Sequence, residues 1–112
     1  MIIYNYELIA SQSEGDSILE FTIKIPAQLL SHSNNQEKVH VVVHEGATMD
    51  QLLDALETLC PGIKGRLVDE EGKQRRFVNL YVNRDDIRLG EGLATVLKEG
   101  DEITIVPGMA GG

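Results

Sequence analysis

The residues with the types that chemistry uses fall into small groups: a cysteine, Cys60; two histidines, His40 and His44; two acidic pairs, Glu70-Glu71 and Asp85-Asp86; and a closing run, Pro107-Gly108-Met109-Ala110-Gly111-Gly112. The histidines share a face only on a helix. Val41, Val42 and Val43 between them read as a strand, where residues four apart lie about 13 Å from each other. One metal ion cannot span that distance, so both histidines are expected to face solvent. Cys60 has only Lys64 and Arg66 nearby in sequence to lower its pKa, so it reads as a buried structural thiol. The acidic pairs fall in expected turns, without the burial that sets two carboxylates to acid and base work. Gly90-Glu91-Gly92 lacks the Gly-x-x-x-x-Gly-Lys pattern of a phosphate loop. Neither it nor Gly108-Met109-Ala110-Gly111 opens a long helix. No catalytic group of the chain's own stands out, and no metal site is expected.

The closing run differs. Pro107 follows the β-branched stretch Glu102-Ile103-Thr104-Ile105-Val106 and has no N–H to give to a ladder. Gly108, Gly111 and Gly112 leave the backbone permissive. The expectation is a carboxylate at Gly112 on a flexible arm reaching roughly 20 Å. An enzyme that activates a carboxyl group must draw it into a narrow channel, and a chain without Cβ atoms can enter one. Glycine-rich termini also occur without function, so the rest of the chain must decide.

The chain has 112 residues, which suits one domain. Its net charge of −8 opposes binding to nucleic acid or an anionic membrane and favours a basic protein surface as partner. A single cysteine excludes an internal disulfide. The start, Met1-Ile2-Ile3-Tyr4, lacks the basic region of a signal peptide, and no stretch approaches the roughly 20 apolar residues of a membrane span. A cytoplasmic protein is expected.

The elements that would position the closing run can be read from periodicity. Leu19, Phe21, Ile23 and Ile25 alternate with Glu20, Thr22 and Lys24, a strand ended by Pro26. Residues 31–37 form a turn, and Lys38–His44 returns as the second strand of a hairpin. Thr48 and Gln51 form a capping box for a helix with Met49, Leu52, Leu53, Leu56 and Leu59 on one face. Pro61-Gly62 ends it near Cys60, and Ile63–Leu67 adds one more helical turn. Arg76–Val82 is a third strand and Ile87–Leu89 a short fourth. Residues 90–97 suit a 3₁₀ turn, and 102–106 is the last strand.

One helix with one apolar face needs one sheet, which gives an α+β fold with a mixed sheet. Ile103 and Ile105 place the last strand inside that sheet. The domain boundaries are 1–17 for an N-terminal extension (an extra strand or a mobile arm), 18–107 for the sheet domain and 108–112 for the tail. The sheet's other face carries Phe77, Tyr81, Val106, Thr104 and Val42. Either it is an exposed docking surface, or the N-terminal arm partly covers it through Tyr4, Tyr6 and Ile9.

The hairpin, the capped leucine helix, Phe77-Val78-Asn79-Leu80-Tyr81-Val82-Asn83, Gly92-Leu93-Ala94-Thr95, Gly100-Asp101, Ile103-Thr104-Ile105 and Pro107–Gly112 together resemble the ubiquitin-like β-grasp sulfur carriers of the MoaD/ThiS family. Within it they look most like the CysO-type carriers of cysteine biosynthesis. The resemblance covers about residues 18–112 and leaves out residues 1–17. It implies a carrier and not an enzyme. An E1-like partner would adenylate the Gly112 carboxylate with ATP, and a sulfur donor would convert it to a thiocarboxylate. A PLP-dependent cysteine synthase would then use that sulfur, and a zinc-dependent peptidase would release the product. ATP, zinc and PLP would belong to those partners. Pro107, Gly108, Met109, Ala110 and Gly111 would enter the partner's active site, and Phe77, Tyr81 and Val106 would face it. Three alternatives stay open: a carrier for a molybdopterin or thiamine-thiazole precursor, a modifier conjugated to lysines, and an interaction module whose tail is incidental.

Overall fold

A computed structural model describes residues 17–108. The expected extension up to Asp16, and Met109, Ala110, Gly111 and Gly112 of the tail, lie outside the described residues. The strands are β1 (Ile18–Lys24), β2 (Lys38–His44), β3 (Val78–Val82), β4 (Asp85–Asp86) and β5 (Glu102–Pro107), in the order β2-β1-β5-β3-β4. The helices are α1 (Met49–Leu59) and α2 (Lys64–Leu67), with 3₁₀ turns at Ala27–His32, Ile87–Leu89 and Gly92–Ala94. This is the expected mixed sheet on one main helix.

Alternation decides which face is buried. Phe21 and Ile23 of β1, Val39, Val41 and Val43 of β2, Val78 and Leu80 of β3, and Ile103 and Ile105 of β5 all lie in one core cluster. Met49, Leu52, Leu53 and Leu56 of α1 close that cluster from one side. The capping box forms as expected. Gln51 N–H donates to the Thr48 hydroxyl at 3.3 Å, and Thr48 N–H donates to Gln51 Oε1 at 2.9 Å. These bonds satisfy helix-end donors that would otherwise be orphaned.

β5 sits at the centre. It runs parallel to β1, with Ile23 opposite Ile103, and antiparallel to β3, with Leu80 opposite Ile105. The β1–β5 parallel pairing puts the end of β5 at the edge of the sheet where β1 also ends. The chain therefore leaves the fold from the central strand of the sheet.

Several boundaries differ from the sequence reading. β3 begins at Val78 and not Arg76, because the Val78 N–H turns back to the Arg75 carbonyl at 3.1 Å. The short fourth strand is Asp85–Asp86, not Ile87–Leu89. Asn83 takes a left-handed φ of 59°, which tightens the turn after β3. Asp86 then accepts the Arg88 N–H at 2.9 Å and starts a 3₁₀ turn in place of the strand. Pro107 is the last residue of β5, opposite Val78, and not the first residue beyond it. Residues 27–32 are a 3₁₀ turn whose Leu29 joins the core.

Candidate functional site

The place where the chain leaves β5 is built by close backbone approach. Gly108 N–H donates to the Phe77 carbonyl, which carries the β3–β5 ladder one residue past Pro107. A methyl group at Gly108 would stand 2.7 Å from that oxygen and 3.4 Å from Phe77 Cβ. Glycine is needed here because a neighbouring backbone lies against it, not because of an unusual φ.

Three of the expected interface residues share the sheet face opposite α1. Asn79 lies opposite Val106 and Tyr81 opposite Thr104. Phe77 and Tyr81 are therefore the diagonal neighbours of Val106 on one side of the pleat. Phe77 is 41% exposed and Val106 40%, while Tyr81 is half-buried. The structure thus groups Phe77, Tyr81 and Val106 and sets Pro107 and Gly108 beside them. Met109, Ala110, Gly111 and Gly112 lie outside the described residues.

Sequence reasoning missed Arg88. Its guanidinium donates to Asn79 Oδ1 at 2.7 Å and to the carbonyls of Arg75 and Arg76 at 2.5 and 3.0 Å. Arg88 therefore ties the 3₁₀ turn after β4 to the chain entering β3, the segment against which Gly108 is bonded. Arg76 stacks its guanidinium 5.3 Å from the Phe77 ring centroid. Lys73, Arg75 and Arg76 line a shallow cleft with Asp69, Gln74, Phe77 and Val78. Three cations against one carboxylate leave this cleft net basic on a chain whose net charge is −8. The side-chain bonds of Arg88 bring it to the adjacent Arg75 and Arg76 backbone from 13 and 12 residues away in sequence.

The other candidates remain apart from this site. Cys60 is 2% exposed at the end of α1, and burial, with the Glu57 carboxylate adding to it, pushes its thiol pKa up. A raised pKa is the opposite of what a nucleophile needs. His40 and His44 both project from β2 away from α1, but they are half-buried and not fully solvent-facing. His40 Nδ1 lies 3.1 Å from the Thr22 hydroxyl and 3.2 Å from Glu20. Among the described residues, no group of three or more His, Cys, Asp or Glu is placed to hold a metal ion.

Glu70 and Glu71 are exposed in their turn. The neighbouring Asp69 accepts the N–H groups of Lys73 and Glu71 at 3.0 and 2.9 Å, and the Lys73 bond in particular holds its carboxyl below the ordinary value. A broad concavity lined by Asn83, Asp85, Asp86, Leu89, Glu91, Thr95, Val96, Lys98 and Asp101 contains surface carboxylates, and the Thr95 hydroxyl there donates to the Gly92 carbonyl at 2.6 Å. No described helix is long and apolar enough to cross a membrane.

Comparison with known proteins agrees with this architecture. The ThiS family matches residues 23–112. The sulfur carrier protein CysO of Mycobacterium tuberculosis is 41% identical over 96 residues, covering 84% of this chain and all of that protein. A chain in the crystal structure of the Amycolatopsis orientalis BexX/CysO complex superposes with a TM-score of 0.71 at 42% identity, covering 82% of this chain and 99% of its own. Small archaeal modifier protein 3 of Haloferax volcanii is 34% identical, covering 69% of this chain and 83% of its own length. With one helix on a mixed five-stranded sheet and a central last strand that leads into Pro107 and Gly108, the chain belongs to the ThiS/MoaD family of ubiquitin-like β-grasp sulfur carriers.

Proposed function

We propose that this protein carries sulfur on its Gly112 carboxylate, as a co-substrate of partner enzymes and not as a catalyst. The observation that supports the reading best is the exit geometry. The central strand ends in a bonded Gly108, from which residues 109–112 reach at most about 14 Å further. That span suits entry into a partner's channel while the fold stays outside.

A carboxylate is a poor electrophile because its charge repels nucleophiles. In the proposed reaction a Gly112 carboxylate oxygen attacks the α-phosphorus of ATP held by an E1-like enzyme, and pyrophosphate leaves. A sulfide-level donor then attacks the acyl carbon, the bond to the AMP oxygen breaks, and a thiocarboxylate remains. The sulfur is thereby nucleophilic yet tethered. The likeness to CysO favours its use in cysteine biosynthesis, by attack on a PLP-bound acceptor in a synthase, with a zinc peptidase releasing the product. Phe77, Tyr81, Val106 and the basic exit form the face presented to the activating enzyme. In this reading Pro107, Gly108, Met109, Ala110 and Gly111 are the part of the chain that the enzyme's channel receives.

The test is the intact mass of the protein isolated from its native host. One oxygen replaced by one sulfur, mapped to Gly112, is the expected result, and a mass heavier by one cysteine would mark the cysteine route. Finding only unmodified protein, together with no pyrophosphate release in the presence of the host's E1-like enzyme and ATP, would overturn the reading. A second reading, conjugation to lysines, is favoured by the likeness to small archaeal modifier protein 3. It predicts isopeptide-linked adducts in the same lysate.

A further inference from the structure

Four large apolar side chains among the described residues are exposed, and they form two pairs. Phe77 and Val106 belong to the exit face. Leu89 and Val96 line the concavity beside β4, together with Asp85, Asp86, Glu91, Lys98 and Asp101. Leu89 is 89% exposed and Val96 50%, so both are more exposed than either residue of the exit pair. A single exposed leucine is ordinary. Two exposed apolar side chains in one concavity, ringed by charge, form a patch. The backbone beneath them is fixed. Asp86 accepts the Arg88 N–H at 2.9 Å and the Gly90 N–H donates to the Ile87 carbonyl at 3.0 Å, which holds the turn that carries Leu89. Val96 is held on both sides: the Met49 N–H donates to the Thr95 carbonyl at 2.9 Å, and the Leu97 N–H to the Ala47 carbonyl at 3.0 Å. Asp101 accepts from Asn83 Nδ2 at 3.0 Å and from the Lys98 N–H at 2.8 Å, joining the turn after β3 to the turn before β5. A surface held this way loses little freedom on binding.

Charge decides the occupant. Four carboxylates and one ammonium line the concavity, and the ion pairs between described residues involve none of them. Arg88, next to Leu89 in sequence, does not compensate them, because its guanidinium is bonded to Asn79 and to the carbonyls of Arg75 and Arg76. A second copy of the chain carries the same net charge of −8 and is repelled overall. The complement is a protein surface with an apolar socket rimmed by Lys and Arg, which pair with the carboxylates as Leu89 leaves water. Position separates this surface from the exit. The Asn83 N–H donates to the Glu102 carbonyl at 2.7 Å, so the concavity adjoins the start of β5, and the tail leaves from its end. The length of β5 sets the two apart by roughly 17 Å.

From these observations we infer that the concavity beside β4 is a second docking surface, on which Leu89 and Val96 enter a basic-rimmed apolar socket of a partner protein. It lies at the end of β5 away from the tail, so a partner seated there does not need Phe77, Gly108 or the residues beyond them. The inference does not rest on the sulfur-carrier reading.

The test uses the full chain carrying p-benzoylphenylalanine at position 89, or at the exposed position 70 as a control, irradiated in the native host. Position 89 should give one discrete protein adduct that position 70 does not, and mass spectrometry should map it to apolar residues flanked by Lys or Arg. With that protein purified, Leu89→Ser should weaken binding at least about tenfold, the scale of one apolar side chain left out of its socket. Asp85→Lys combined with Glu91→Lys should also weaken binding and flatten its salt dependence. Glu70→Lys, a charge change outside the concavity, should leave the affinity within about twofold. No adduct at position 89, an adduct with a second copy of this chain, a mapped site without Lys or Arg, or Leu89→Ser binding as tightly as wild type would each overturn the inference.

Discussion

Replacing Gly108 with alanine should damage activation far more than it damages the fold. The added methyl would meet the Phe77 carbonyl oxygen at 2.7 Å, and side-chain carbons rarely approach within 3.0–3.4 Å of anything. The contact cannot be relieved by a rotamer, since the obstacle is backbone. The chain at Gly108 must therefore shift by several tenths of an ångström, which breaks the Gly108–Phe77 hydrogen bond. A lost bond of this kind costs about 1 kcal/mol. It lies at the frayed end of the ladder, where opening is local and not global, so the denaturant midpoint should move by less than a core truncation would move it. The tail then leaves the sheet from a displaced and unanchored point.

Misplacement on this scale costs roughly ten- to a hundredfold in rate when reacting groups must align. The assay is ATP–pyrophosphate exchange by the host's E1-like enzyme, with kcat/KM measured for wild type, Gly108→Ala and a control, Gly65→Ala. Gly65 sits in α2 with open space around its built Cβ. The control should keep full exchange and unchanged or slightly raised stability. Exchange by Gly108→Ala equal to wild type would refute the reasoning. So would a stability loss of about 2–5 kcal/mol, the scale of a core deletion.

Other outcomes follow from the same geometry. Arg88→Ala removes three donated bonds to Asn79 and to the carbonyls of Arg75 and Arg76; it should lower stability by about 1 kcal/mol and weaken docking to the activating enzyme, read as a raised KM for the carrier. Cys60 should resist thiol reagents in the native protein and react only at the rate of unfolding, because burial raises its pKa and blocks access; rapid native labelling would contradict this. Asp69 should titrate below its ordinary 3.8 in a carboxyl NMR titration, because bonds from Lys73 and Glu71 favour its charged form. A depressed folded pKa gives stability that is complete above the unfolded value and lost as pH falls through the folded one. Asp69→Asn should therefore flatten part of the stability loss below about pH 4, a change visible in acid denaturation curves.

Most of the fold was legible because the signals that set it are local. β1 alternates without exception from Leu19 to Ile25, and Thr48 with Gln51 marks the start of α1 to the residue. The central place of β5 followed from the need of Ile103 and Ile105 for a core. What was not legible depends on individual side-chain hydrogen bonds, which periodicity does not report. Asp85–Asp86 became the strand, and Ile87–Leu89 a 3₁₀ turn, because Asp86 captures the Arg88 N–H, a choice that β propensity at Ile87 and Leu89 argued against. That choice aims Arg88 across the sheet face. Without it, three arginines separated by up to 13 residues in sequence gave no hint of meeting at the exit. The histidines do lie on a strand, but His40 is half-buried beside Thr22 and Glu20 of the neighbouring strand and not fully solvent-facing, a cross-strand contact that periodicity does not report.

The charge distribution changes how docking should be understood. Net charge alone points to a uniformly basic partner, yet the surface nearest the exit carries Lys73, Arg75, Arg76 and Arg88 against Asp69, while Asp85, Asp86, Glu91 and Asp101 outnumber Lys98 in the concavity beside β4. An activating enzyme that matched only the average charge would be drawn to the acidic side, with the tail pointing away from its channel. One whose channel mouth is acidic and whose outer rim is basic would be steered with Phe77 and Gly108 leading. Under the proposed function, Arg75 and Arg76 adjoin Phe77 beside the strand that leads to the tail, so charge at the exit and the apolar strip of Phe77, Tyr81 and Val106 would together set the orientation of docking.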